Sequence, residues 1–275
     1  IALILTWMLN NQQPIEEVAL DTTKQMEAST NSASEGYLGI VLNDSLQDQQ
    51  MKAAYGSFSN LFQVNKSVDL ALENEKLSVV FSSKGAQISN LFLKEFNNYK
   101  RDTLYLVKEN QNFNYSFSTS DGRILNTVDF YFTPKVTNRN GNQILTFTAS
   151  VSSSQFIVFE YKINADSYII DFSIRSEGMS RLINTREQQN ISWDLKAFRN
   201  SKSIEYENRY HELTYSFDDN KIDYLSVSSS DEEEDSDVHW IAFKQHFFNS
   251  ILIPEKSFDS VRFTSENLLD SDIVD

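Results

Sequence analysis

The residues best equipped for chemistry are three histidines, His211, His239 and His246, and the acidic run Asp231–Asp237. No pair of these histidines has the HExxH spacing that places two imidazoles on one helix face, so each reads as a surface or core-edge side chain. A calcium loop alternates its carboxylates and bends at a glycine; Asp231–Asp237 does neither and reads as a solvated loop. A serine nucleophile needs G-x-S-x-G, but Gly56 and Ser57 are adjacent and lack that spacing. Ser83-Lys84-Gly85-Ala86 holds a single glycine without a Walker pattern, so it makes no phosphate cradle. The chain has no cysteine, which excludes thiol catalysis, disulfides and thiolate metal sites. Paired carboxylates for glycoside chemistry cannot be assigned without geometry. Aromatic residues at strand spacing read as core before they read as a sugar platform. The expectation is a protein that is not an enzyme, with no cofactor and no metal.

Composition narrows the partners. The net charge is −15, and no basic stripe exists to displace counterions from phosphates; Tyr99-Lys100-Arg101 is the nearest approach and Asp102 follows it. A nucleic-acid partner is therefore excluded. The same acidity argues against docking on anionic lipid. It fits the outer side of a membrane, since the basic excess belongs on the cytoplasmic side. The 20 Phe and 12 Tyr favour strands. With only 7 Gly and 3 Pro, the turns must be built largely from Asn, Asp and Ser.

The elements that would position any site follow from periodicity. Ile1–Leu9 is apolar, opens without Met and rises only about 14 Å as a helix, whereas a bilayer core needs about 20 residues. It reads as the end of a membrane anchor, with Trp7 suited to the interface. Residues 10–68 read as a flexible polar tether. Gly36–Leu42 and Met51–Phe62 interrupt it, either as transient structure or as segments that dock on a partner or on the domain itself.

From Asp69 the texture changes to strands. Leu77, Val79 and Phe81 alternate on one face. So do Tyr115, Phe117 and Thr119; Val128, Phe130 and Phe132; Leu145, Phe147, Ala149 and Val151; Ile157, Phe159, Tyr161 and Ile163; and Tyr168, Ile170, Phe172 and Ile174. Asn140-Gly141 between two such runs predicts a two-residue type I′ hairpin. Further short strands are expected near Gln189–Leu195, Ser203–Glu207, Leu213–Phe217 and Asp223–Val227. Ile88–Tyr99 fits either a helix or a strand and loop. Many short antiparallel strands with tight turns predict an all-β sandwich or barrel with few helices.

Two stretches carry a resemblance to a known family. Leu77–Lys94 contains a strand, a turn of the small-Lys-Gly kind at Gly85, and a segment leading to Tyr99. Val238–Pro254 matches the pattern W-[VI]-A-x-x-[QD]-x-[YF]-F-x-x-x-x-[IL]-P at Trp240, Ala242, Phe247, Phe248 and Pro254. Both resemble the large periplasmic domain of YidC membrane protein insertases, and the long tether is similar to Bacteroidetes-like members. The acidic run departs from the Ser, Lys and Gly of other members. The resemblance implies a twisted antiparallel β-supersandwich of the galactose-mutarotase kind over 69–275, expected to stop short of its last strands. It implies a bacterial inner-membrane protein with this domain in the periplasm. It also implies two sets of partners. One is the Sec translocon with its accessory subunits; the other is nascent membrane proteins, reached through a membrane core that this chain lacks. The domain would then dock or scaffold, with Trp240, Phe247 and Phe248 as core or hinge residues and Ala242, Pro254 and Gly85 structural. The competing reading is a carbohydrate-binding or mutarotase-like sandwich, which needs a histidine and a carboxylate converging in an open cleft.

Overall fold

The computed structural model describes residues 46–63, 67–225 and 229–268. The anchor expected at 1–9, the apolar run Gly36–Leu42 and the tether up to residue 45 lie outside these residues. No helix among the described residues is long and apolar enough to cross a membrane.

The described chain is an all-β sandwich with few short helices. Four strands form a first antiparallel meander: β1 (Asp69–Glu73), β2 (Leu77–Ser82), β3 (Gln87–Asn97) and β4 (Thr103–Lys108). The segment Ile88–Tyr99, open between helix and strand in the sequence, is thus mostly strand. A third sheet carries β5 (Gln111–Ser118) at its centre, with β6 (Ile124–Asn126) on one side and β11 (Asn190–Leu195) on the other. The second meander is β7 (Thr133–Arg139), β8 (Asn142–Ser152), β9 (Gln155–Ile163) and β10 (Ile170–Glu177). The fourth sheet runs β13 (Lys221–Tyr224), β12 (Glu212–Phe217), β14 (Asp231–Lys244), β15 (Asn249–Leu252), and β16 (Phe258–Ser265) also pairs with β14.

Period-two burial is plain in β2 and β8. Leu77, Val79 and Phe81 of β2 face Leu145, Phe147 and Ala149 of β8 across one core, all nearly fully buried. Phe81 meets Tyr161 with ring centroids 4.7 Å apart, and Phe159 meets Phe132 at 5.1 Å. Each such ring, removed from water, stabilises the fold by about 1.5–3 kcal/mol. The hairpin at Asn140-Gly141 has positive φ at both residues, 52° and 78°. That is the type I′ geometry, which matches the right-handed twist of β7 and β8.

Gly85 sits at the base of this core. Its φ is +75°, and a Cβ there would lie 3.1 Å from Val128 Cα. Its N–H donates to the Phe130 carbonyl at 2.9 Å, and the Tyr161 hydroxyl donates to the Ala86 carbonyl at 2.7 Å. The turn is therefore sewn into the core from two sides.

Several expectations are corrected. The tether does not extend flexibly to residue 68: residues 46–55 are helical (α1), a 3-10 turn follows at Gly56–Leu61, and Phe58 and Leu61 are buried in the first core. Phe58 packs on Phe117 at 5.6 Å, so this segment docks on the domain itself. Ser203–Glu207 is not a strand. Ser203 caps a short helix, α2 (Ile204–Asn208), its hydroxyl accepting the Tyr206 N–H at 3.2 Å. Beyond β6, Val128 belongs to a 3-10 turn rather than a strand.

The acidic run is no solvated loop but the first half of β14, paired with β16 from Asp231↔Ser265 to Val238↔Phe258. Asp231, Glu233 and Asp235 are half-buried while Glu232, Glu234 and Ser236 are exposed. The Tyr215 hydroxyl lies 2.6 Å from Glu233 and 2.5 Å from Asp235, and outside Glu232 pairs with Arg262. Burial and the two carboxylates push the Tyr215 phenol far above its ordinary range, so it stays a proton donor.

Candidate functional site: a cleft between two open strand edges

Among the described residues, β11 pairs with β5 alone and β16 with β14 alone. The two strands run past each other in the same direction. Asn190–Ile191 and Phe258–Val261 line a cleft of about 370 Å³. Trp193–Leu195 and Thr264–Ser265 line a larger one of about 1060 Å³. Its floor comes from the fourth sheet, where Phe243 meets the Trp193 ring edge-on at 4.6 Å. The Trp193 indole N–H donates to Gln111 at 3.0 Å, which fixes the ring against the floor.

The wall after β11 is shaped by a buried carboxylate. Glu207, on α2, is almost wholly buried. Its oxygens accept the Asn200 N–H at 3.0 and 2.9 Å and the Ser201 N–H at 2.8 Å. Burial works to raise its pKa, but His211 and these amides outweigh burial and hold the carboxyl below its usual range. His211 Nε2 is 3.7 Å from Glu207, an ion-pair distance, and His211 lines the cleft. Across the cleft, burial raises the Asp194 pKa, with Asn112 opposing it.

A histidine and a carboxylate therefore do meet beside an open cleft, as the mutarotase-like reading required. Their arrangement does not suit a base over a sugar: Glu207 gives its oxygens to backbone amides and orders the 199–203 loop. Among the described residues no three His, Asp or Glu side chains converge on a metal-sized point. His239 Nε2 lies 2.6 Å from the Asp218 carbonyl, and His246 stacks on Tyr210 at 4.4 Å, both away from the cleft.

None of the six motif residues lines the cleft. Gly85 is in the turn after β2. Trp240 and Ala242 share the outer face of β14, and Pro254 follows β15 half-buried. Phe248 is half-buried on the first core, edge-on to Phe96 at 5.4 Å. Phe247 is 67% exposed at the tip of the β14–β15 turn, so its expected core placement is wrong. The chain turns there between two short-range pairings, Lys244↔Asn249 and Phe243↔Ser250, and the tip points Phe247 outward. Sequence reasoning missed Trp193, Phe243 and Glu207; only the Ser203 cap with Glu205 and Glu207 in the following turn signalled the helix that holds the last of these.

Comparison with known proteins gives this architecture a family. A model described as the YidC periplasmic domain matches residues 69–273. A membrane protein insertase YidC of Azobacteroides pseudotrichonymphae genomovar. CFP2 is 28% identical over 94% of this chain and 41% of its own length. Those of Phocaeicola vulgatus and Parabacteroides distasonis are 32% and 27% identical, over 80% and 85% of this chain and 35% and 37% of their own. The chain thus spans roughly two fifths of the length of these relatives. On the family model and these relatives together, the chain belongs to the YidC periplasmic domain family.

Proposed function

We propose that this domain is the extracytoplasmic docking and scaffold module of a membrane protein insertase, and that its cleft holds an extended polypeptide by strand addition. The observation that supports this reading is that β11 and β16, each paired on one side among the described residues, both line the two clefts. Unpaired N–H and C=O groups along a strand edge are a template for another backbone, and alternate side-chain pockets supply selectivity. The Trp193–Phe243 floor offers the apolar part and Asn110, Asn112 and Asp194 the polar part. The relatives' name and the family's description place such a module at the bacterial inner membrane, facing the periplasm. Its occupants would be emerging segments of nascent membrane proteins or a subunit associated with the Sec translocon. Insertion itself belongs to a membrane core outside these 275 residues.

The test is photocrosslinking in the full insertase during membrane-protein synthesis, with a reactive residue at Leu195 or at Thr264. Crosslinks to nascent chain or to a Sec subunit are expected at both positions and not at Val136, which is exposed on β7. No crosslink at either cleft position, or equal yield at Val136, removes the basis of the proposal. Unchanged insertion and Sec association after deletion of 69–275 would remove the docking role as a whole.

A further inference from the structure

One end of the molecule gathers aromatic rings and cations. Four segments meet there: the β3–β4 turn at 98–102, the loop 199–203, α2 with residues 209 and 210, and the β14–β15 turn at 245–248. Hydrogen bonds lock them together. The Tyr99 N–H donates to the Asn200 carbonyl at 3.1 Å. The Asn200 side-chain amide donates to the Gln245 side-chain oxygen at 3.0 Å, and both residues are buried. The Gln245 N–H donates to the Phe248 carbonyl at 2.8 Å and closes the second turn. Glu207 fixes the loop through the Asn200 and Ser201 amides.

This frame holds its rings out in water. Phe247 is 67% exposed, Tyr206 46%, Phe96 42% and Tyr210 40%. The His246 ring ties three of them together, with centroids 3.9 Å from Phe247, 4.4 Å from Tyr210 and 5.3 Å from Tyr206. Phe96 stands edge-on to Phe248 in the same turn. The two tyrosines have polar ends, the Tyr210 hydroxyl lying 3.1 Å from that of Tyr206. Clustered rings left in the open by a well-bonded frame mark a contact surface.

The same segments reverse the sign of the domain. They hold five cations, Lys100, Arg101, Arg199, Lys202 and Arg209, against three acids, Asp102, Glu205 and Glu207, whereas the chain as a whole carries −15. Glu207 is turned inward to its amides, and Lys100, Arg101, Lys202 and Arg209 are exposed. Lys100 and Arg199 both lie against the Tyr99 ring, 5.4 and 4.6 Å from its centre.

We propose that this end of the domain rests on the headgroup layer of the inner membrane, with Phe247 and the two tyrosines entering the interface and the cations meeting lipid phosphates. Amphipathic rings flanked by Lys and Arg settle at the boundary between water and hydrocarbon. The family places the domain at that membrane. A domain tied to a membrane meets it at high effective concentration, so a small patch suffices. A protein partner fits less well. The exposed rings sit at a strand end, on a turn tip and beside a single-turn helix, none lines either cleft, and a stable protein interface needs about 800 Å² from each side. The acidity of the remaining surface repels it from lipid phosphates and so turns this end toward them. The inference does not depend on what the cleft holds.

These 275 residues contain no cysteine, so a single thiol can report on one place. Asn249→Cys, exposed beside the tip, and the control Val136→Cys are made in the full-length insertase with other cysteines removed. Each is labelled with a fluorophore and reconstituted into vesicles of phosphatidylethanolamine with about one quarter phosphatidylglycerol. Lipid spin-labelled at the headgroup is expected to quench the label at Asn249→Cys at least about threefold more than the label at Val136→Cys. Adding Phe247→Ala with Arg101→Glu and Lys202→Glu, all at exposed positions, should lower that quenching at least about twofold. Equal quenching at the two positions, or none at Asn249→Cys, overturns the proposal. So does quenching that ignores the added substitutions, since nearness without contact is tethering alone. Shielding of the Asn249→Cys label from a water-soluble quencher, equal in detergent and in vesicles and without lipid quenching, also overturns it and assigns the tip to a protein surface.

Discussion

The first core and the fourth sheet solve the same burial problem differently. Between the two meanders, strands alternate, every inward ring meets another ring, and α1 with its following turn closes the edge through Phe58 and Leu61. Among the described residues that cluster buries 22 residues, and the fourth sheet's core buries 7. The smaller core relies on a long strand whose first half is acidic and whose second half is apolar on both sides. The fourth sheet also bounds the larger cleft through Leu213 and Phe243.

The sharpest test of that contrast compares two phenylalanines. Phe159→Ala should lower stability by about 3–5 kcal/mol, since its ring is fully buried among Phe132, Phe172 and Tyr115. Phe247→Ala should change it by no more than about 0.5 kcal/mol in this chain, read as a shift of the urea midpoint at constant slope. A large loss at Phe247 would mean that the tip is covered. Gly85→Ala should cost about 1–3 kcal/mol, because it adds strain at positive φ and a close approach to Val128. A neutral result there would show that the turn can relax.

Glu207→Gln should cost about 1–3 kcal/mol at neutral pH by weakening the bonds to the Asn200 and Ser201 amides. The sign with pH follows from its depressed pKa. The carboxylate's stabilisation is fully present above its ordinary value of 4.5 and is lost as pH falls through the lower folded value. Urea midpoints for the parent and Glu207→Gln chains should therefore converge on acidification; a gap that stays constant to strong acid would contradict the arrangement. The smallest effect is expected at Ile251→Thr, within about 0.5 kcal/mol in this chain. A clear loss would show that the Ile251 side chain is packed.

Much of the first core was legible in the sequence because one strong rule applied without competition. Asn140-Gly141 and the alternations in β2, β8 and β9 each pointed one way, and the all-β class followed. The acidic run failed because charge was read as solvation; the alternation of half-buried and exposed carboxylates was present, but its inward partner, the Tyr215 hydroxyl, lies on another strand. Ser203–Glu207 failed because a single-turn helix has too little periodicity to announce itself. The cleft was invisible for a different reason. Its walls come from segments as distant as Asn110, Trp193 and Thr264, and no local pattern relates two strand edges that never pair.

The acidic half of β14 has one more property. Along Asp231–Asp235 every position is a carboxylate, so a slip of two residues would still offer Tyr215 a pair of acids and Arg262 a mate. Such a segment is a ruler whose marks are all alike: it can fasten a strand but cannot measure where the strand should stop. The measuring is left to unlike neighbours, Val238 opposite both Phe217 and Phe258, and Trp240 opposite Ser216. Alignment of the long strand is therefore spelled at its apolar end, and the acids hold whatever position that end dictates.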